Sequence, residues 1–102
     1  MDGFIGLYSV GDTLGMYILC RNGSLVPTGP DAAPAYYIYD SSGNLVTNST
    51  LSASDHNSKT GFRRGSVVVS SANGFAVGRY TILYTYAISS TNYAIEQFFQ
   101  IA

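Results

Sequence analysis

Gly78-Arg79-Tyr80-Thr81-Ile82-Leu83-Tyr84-Thr85-Tyr86-Ala87-Ile88 is the stretch on which the rest of the chain is hung. It contains no proline and no interior glycine, and it is built from Tyr, Ile, Thr and Leu, the types that suit a pleated surface. Tyr80, Ile82, Tyr84, Tyr86 and Ile88 alternate with Thr81, Leu83, Thr85 and Ala87. The first row is bulkier and more apolar, so it is expected to face a core. At about 3.3 Å per residue, such a strand would cross a small domain from end to end. It is therefore read as the central strand.

Six further segments are sized to cover it. Phe4 to Tyr8 is a short strand flanked by glycines. Thr13 to Arg21 alternates Leu14, Met16, Ile18 and Cys20 with Thr13, Gly15, Tyr17 and Leu19. Ala35 to Tyr39 sets Tyr36 and Ile38 against Tyr37 and Tyr39. Leu45 to Thr50 is a weaker strand, reached through the hairpin signal Asp40-Ser41-Ser42-Gly43-Asn44. Phe62 to Ser70 turns Val67 and Val69 one way and Val68 the other. Tyr93 to Ile101 closes the chain after a turn at Ser89 to Asn92, and Phe98-Phe99 leaves its in/out phase open. The expected core is Leu14, Met16, Ile18, Tyr36, Ile38, Tyr80, Ile82 and Tyr84.

Asn22 to Pro34 holds all three prolines, which remove ladder donors and fix φ. A connection of that length is expected to cross from one sheet to another. Nothing sustains a 3.6-residue apolar period, so essentially no helix is expected. Seven strands with turns every 8–12 residues predict an all-β, seven-stranded antiparallel sandwich. The chain has 102 residues, the size of one domain, and residues 1–102 are read as a single one.

Composition narrows the function. One cysteine excludes an intramolecular disulfide. The formal net charge is −1 with no basic block, which gives no footprint for nucleic acid. Charged residues are 11% of the chain, against about 25% in ordinary soluble domains. A surface of Ser, Thr, Asn and Tyr repels itself weakly and suits a protein packed against others, itself included. Met1 to Phe4 shows no basic region leading into an apolar run, so the expectation is cytoplasmic synthesis with no signal peptide, no membrane span and no membrane partner.

Chemistry is poorly represented. Asp55-His56 is the one acid–imidazole neighbour pair, and it lies in a polar loop without a nucleophile signature. One His and one Cys cannot supply a zinc site, and Asp31, Asp40 and Asp55 lack calcium-loop spacing. No catalytic, cofactor-binding or metal residues are assigned, and no enzyme activity is expected. Asn22-Gly23-Ser24 and Asn48-Ser49-Thr50 match the glycosylation acceptor pattern by chance composition. Two outward sets remain. Tyr17, Leu19, Tyr37 and Tyr39 form an aromatic contact set if the strand phases hold, and belong to the core if a phase slips by one. Arg63 and Arg64, with Lys59 nearby, form a positive cluster suited to a solvated edge or to rim contacts with a neighbouring subunit.

The ordered pieces Gly6-Leu7-Tyr8-Ser9-Val10-Gly11-Asp12, Pro30 to Pro34, Asp40-Ser41-Ser42-Gly43-Asn44, Thr60-Gly61-Phe62-Arg63, Asn73-Gly74-Phe75, Gly78-Arg79-Tyr80-Thr81-Ile82 and Phe98 to Ala102 resemble the immunoglobulin-like domains of tailed-bacteriophage structural proteins. The resemblance covers nearly the whole chain. It implies an immunoglobulin-like β-sandwich without enzymatic activity, located in the virion and bound to phage coat or tail proteins. Among such parts, a small free-standing chain fits a capsid decoration or cement protein; a tail, baseplate or fibre component is the alternative. The antibody variety is excluded by the missing second cysteine and tryptophan. Tyr80 stands where a tyrosine corner would place its phenol, or is a core aromatic with a wet tip. A carbohydrate-binding sandwich module, with tyrosines stacked on sugar rings, is the reading from another class.

Overall fold

The computed structural model describes residues 3–102, so the reading of Met1 and Asp2 lies outside the described residues. Seven strands form: β1 (Phe4–Tyr8), β2 (Thr13–Leu19), β3 (Ala35–Asp40), β4 (Leu45–Thr50), β5 (Phe62–Val68), β6 (Gly78–Ile88) and β7 (Thr91–Ile101). Among the described residues there is no α-helix, only short 3-10 turns at His56–Ser58 and Ser71–Asn73. No helix among the described residues is long and apolar enough to cross a membrane.

β6 occupies the middle of a five-stranded sheet ordered β1-β7-β6-β3-β4. Its eleven residues, at about 3.3 Å each, make a strand nearly as long as the 38 Å longest extent of the molecule. β2 and β5 pair antiparallel as a second, two-stranded sheet. The Asn22 to Pro34 connection carries the chain from that sheet to β3, as its length predicts.

The inner rows enclose one core. Leu14, Met16 and Ile18 from β2 meet Tyr36 and Ile38 of β3, the even-numbered row of β6, and Phe99 and Ile101 of β7. All eight expected core residues are buried, and so are Cys20 and Val69. Leu51, fully inside, reaches across the open edge of β5 because Gly65 leaves room; a Cβ there would stand 2.7 Å from the Leu51 side chain.

An antiparallel arrangement throughout is not what forms. β1 runs parallel to β7, pairing Phe4 with Phe98 and Tyr8 with Ile101. The chain leaves β1 through Ser9–Asp12 and enters the other sheet at once as β2, so β1 cannot make a hairpin with it. It takes the free edge of β7 instead, where Phe98 N–H donates to the Gly3 carbonyl at 2.7 Å and Ala102 N–H to that of Tyr8 at 2.9 Å. Tyr8 then packs edge-on against Phe99, ring centroids 5.9 Å apart. The second sheet holds two strands, because Ser52 to Thr60 stays a loop. Ser52 N–H donates to the Arg64 carbonyl at 2.8 Å, but the segment that follows lies along the β5 edge as a loop, without strand pairing.

The β6–β7 turn is tighter than Ser89 to Asn92. Ser89 and Ser90 alone make it, both at positive φ (51° and 66°), the conformation that two-residue hairpins demand and that Gly or Asn usually fills. The Asp31 carboxylate holds it there, accepting from Ser89 N–H at 2.9 Å and Ser90 N–H at 3.0 Å. Thr91 and Asn92 are thereby freed to pair with Ile88 and Ala87.

Candidate functional site

The alternation that buries one row of each strand fixes what the opposite rows present. On the outside of the large sheet, register places Phe4, Phe98, Thr81, Tyr39 and Leu45 in one line across all five strands. Next to it lie Glu96, Leu83, Tyr37 and Asn48, and beyond those Ala94, Thr85 and Ala35. Phe4 is 40% exposed, Leu45 53%, and Leu7, beside Gln100, 64%. Phe98, Leu83, Tyr37 and Tyr39 are half-buried among their neighbours. At the hairpin end the face sinks into a shallow depression of about 580 Å³, floored by Ala33, Ala35, Thr85, Ala87 and Ala94.

Tyr37 and Tyr39 thus stand outward on this face, while Tyr17 and Leu19 lie on the opposite side of the molecule, outside the two-stranded sheet. The four do not form one patch. Tyr17 belongs to a second aromatic group. Its ring stacks on Phe62 (5.8 Å between centroids, planes 22° apart), His56 tilts against both, and the Arg64 guanidinium lies 5.9 Å from the Tyr17 ring centroid.

Arg63 departs from the expected surface cluster. It is 6% exposed, on the inner row of β5. Its Nε donates to Asp55 Oδ1 at 3.2 Å and another guanidinium nitrogen to the Ser52 carbonyl at 3.3 Å. The same Asp55 oxygen accepts from Gly61 N–H at 3.0 Å. A buried guanidinium needs such partners, so Arg63 pins the Ser52 to Thr60 loop against the open edge of β5. Arg64 and Lys59 remain exposed.

That use of Asp55 also separates it from His56. The carboxylate faces Arg63 while the imidazole packs on Tyr17 and Phe62, so the two neighbours make no dyad. Cys20 is fully buried; desolvation pushes its thiol up to about 11, against a smaller pull from Arg63 and a further push from Asp55. The thiol is therefore protonated at neutral pH and unreactive. Among the described residues no three His, Cys, Asp or Glu side chains gather as metal ligands.

The buried tyrosines end in hydrogen bonds. The Tyr80 hydroxyl donates to the Ala76 carbonyl at 2.8 Å and accepts from the Ala76 N–H at 2.9 Å, a tyrosine corner at the start of β6. The Tyr86 hydroxyl does the same with Arg21, both at 3.2 Å. The Tyr84 hydroxyl donates to Gln97 Oε1 at 2.7 Å, and Gln97 Nε2 reaches the Tyr17 carbonyl at 3.3 Å, joining the two sheets.

The outward Phe4, Leu7, Leu45 and Phe98 were not among the residues singled out from sequence. For Phe98 the signal lay in the Phe98-Phe99 pair, since whichever phenylalanine enters the core sends the other out. No family model, curated protein or solved structure matches this chain.

Proposed function

We propose that this chain is an immunoglobulin-like structural protein of a bacteriophage particle, without enzymatic activity, that binds neighbouring coat subunits as a capsid decoration protein. The fold supports the reading: an immunoglobulin-type GFC sheet widened at both edges, over a pared-down B–E pair, would give the order β1-β7-β6-β3-β4 over β2-β5, and a tyrosine corner on its F-type strand would give the Tyr80 bond to Ala76. The observation that carries it is the outer face of the large sheet. A largely apolar line spans five strands and ends in Phe4 and Leu45, 40% and 53% exposed, and contiguous exposed apolar surface of this kind marks an interaction site.

The test is incorporation into particles. A tagged chain should sediment with phage virions and be located on them by electron microscopy. Tyr39→Ala, with unchanged thermal unfolding, should reduce occupancy about thirtyfold, the equivalent of losing a 2 kcal/mol anchor. A chain that stays in the supernatant with all particles removes the proposal.

The Tyr17–Phe62–His56 group favours a second reading, sugar binding by aromatic stacking. Titration with oligosaccharides, followed by the chemical shifts of these rings, separates the two.

A further inference from the structure

We infer that the outer face of the large sheet is a two-fold interface with a second copy of this chain, its axis lying along the Phe4–Phe98–Thr81–Tyr39–Leu45 line. The inference rests on the reading of that face as a docking surface and seats a second copy there, so that the paired chains meet coat subunits through their other surfaces.

The first ground is charge. Among the described residues the face carries an exposed Arg79 on β6 and an exposed Glu96 on β7. Neither makes a side-chain hydrogen bond or ion pair with another described residue; the one ion pair among the described residues is Arg63 with Asp55. Arg79 pairs with Gln100 and Glu96 with Leu83, so they lie on either side of the Thr81–Phe98 pair. Each is two residues, or about 6.6 Å, from that line. They stand too far apart to meet within one chain. A two-fold axis along the line exchanges the two sides. Arg79 of one copy then faces Leu83 of the other and reaches Glu96 one strand over, about 5 Å across. The same operation produces the contact twice, as an isologous interface requires.

The second ground is shape. The axis lays the apolar line against itself, Phe98 towards Phe98. It also relates positions equally distant from Thr81. Thr85 lies four residues after Thr81, in the alanine-floored depression. The axis sets that hollow over the Gly78 end of β6 in the other copy, where Val77, in the bend preceding the strand, is 71% exposed.

The third ground is size. Five strands about 4.8 Å apart and about eight residues long give a face of about 600 Å². Accessible area exceeds this flat projection, and a standard interface buries about 800 Å² per partner. Two such faces pack as sheets do, strands aligned within about 30°.

The experiment measures the mass of the purified chain by sedimentation equilibrium over a wide concentration range, for wild type, Arg79→Glu, Glu96→Arg and the double exchange. Wild type should be a dimer of micromolar or tighter affinity. Each single exchange sets like charges opposite each other and should weaken dimerisation about a hundredfold, with thermal unfolding of the monomer unchanged. The double exchange should restore the dimer, which a merely structural role for either residue would not do. A chain that remains monomeric at millimolar concentration overturns the inference, as does a dimer indifferent to all three exchanges. A monomer that still enters particles would overturn this inference alone, whereas a charge-dependent dimer absent from particles would overturn the virion reading alone.

Discussion

Gln97→Leu should destabilise the chain out of proportion to its conservative volume. Gln97 is a polar residue on the inner row of β7, between Ile95 and Phe99. Its carboxamide accepts from the fully buried Tyr84 and donates to the backbone of β2. Leucine removes both bonds. The Tyr84 hydroxyl is then left in the core without a partner, at about 1–3 kcal/mol, and the bond to Tyr17 is lost at about 1 kcal/mol. The expected total is about 2–4 kcal/mol, which in a domain of this size lowers Tm by about 10–25 °C.

Tyr84→Phe supplies the control. Alone it deletes one hydroxyl and leaves Gln97, half-exposed, able to find water; the cost should be about 1 kcal/mol. Combined with Gln97→Leu it removes the orphaned hydroxyl, so the double variant should be more stable than Gln97→Leu by about 1–2 kcal/mol. Urea denaturation of the four proteins measures this cycle. If Gln97→Leu costs under about 0.5 kcal/mol, or if adding Tyr84→Phe lowers stability further, the polar link is not what joins the sheets.

Two further outcomes are expected. Asp31→Ala should lower stability by about 1–3 kcal/mol by releasing the Ser89 and Ser90 N–H groups from a carboxylate, and the pair Ser89→Asn with Ser90→Gly, which tolerates positive φ unaided, should restore most of it in thermal unfolding; no rescue would mean that Asp31 acts elsewhere. Stability should also fall in alkali: burial raises the Cys20 thiol from 9.0 to about 11 and raises the Tyr84 and Tyr36 hydroxyls above 10.0, Ser49 pulling Tyr36 back in part. The unfolded chain therefore releases these protons first, so the contribution is complete below pH 9 and is lost as pH climbs, Cys20 alone accounting for about 2–3 kcal/mol by pH 11; denaturation midpoints unchanged from pH 8 to pH 11 would contradict this.

β6 was legible in sequence because eleven residues alternate without interruption, and its row of Tyr80, Ile82 and Tyr84 needs no tertiary information to be assigned. β7 was half legible: Gln97 occupies an inner position and Phe98 an outer one, the reverse of what polarity suggests, and only the bond to Tyr84 explains it. Arg63 misled for a similar reason. Adjacent arginines read as surface, but a strand sends them to opposite faces, and the buried one is tolerated because Asp55, eight residues earlier, comes back to meet it. The parallel placement of β1 carried no local signal at all, since it depends on which edge of the large sheet is free once the hairpins have formed. The Asp31 brace on Ser89-Ser90 spans 58 residues and is equally invisible to turn rules, which would have asked for glycine.

Tyrosine abundance itself suggested an interface, and the structure changes what that abundance means. Of nine tyrosines, Tyr8, Tyr36, Tyr80, Tyr84, Tyr86 and Tyr93 belong to the core or pack against it. A thin sandwich with only two strands on one side has many buried positions close to a rim. A phenol suits them, burying its ring while its hydroxyl reaches a peripheral backbone group or polar side chain, as Tyr80 does at Ala76 and Tyr86 at Arg21. Counting aromatics therefore overstates the interface. The stronger argument comes from side chains with no polar end. Phe4, Leu7 and Leu45 remain 40–64% exposed, on strands where Ser or Thr would satisfy the pleat equally well. Single exposed apolar residues are ordinary, but register sets Phe4 and Leu45 at the two ends of one line through Phe98 and Tyr39, with Leu7 beside it. The same register places the opposite charges of Arg79 and Glu96 on either side of that line, and a second copy of the face satisfies both features at once.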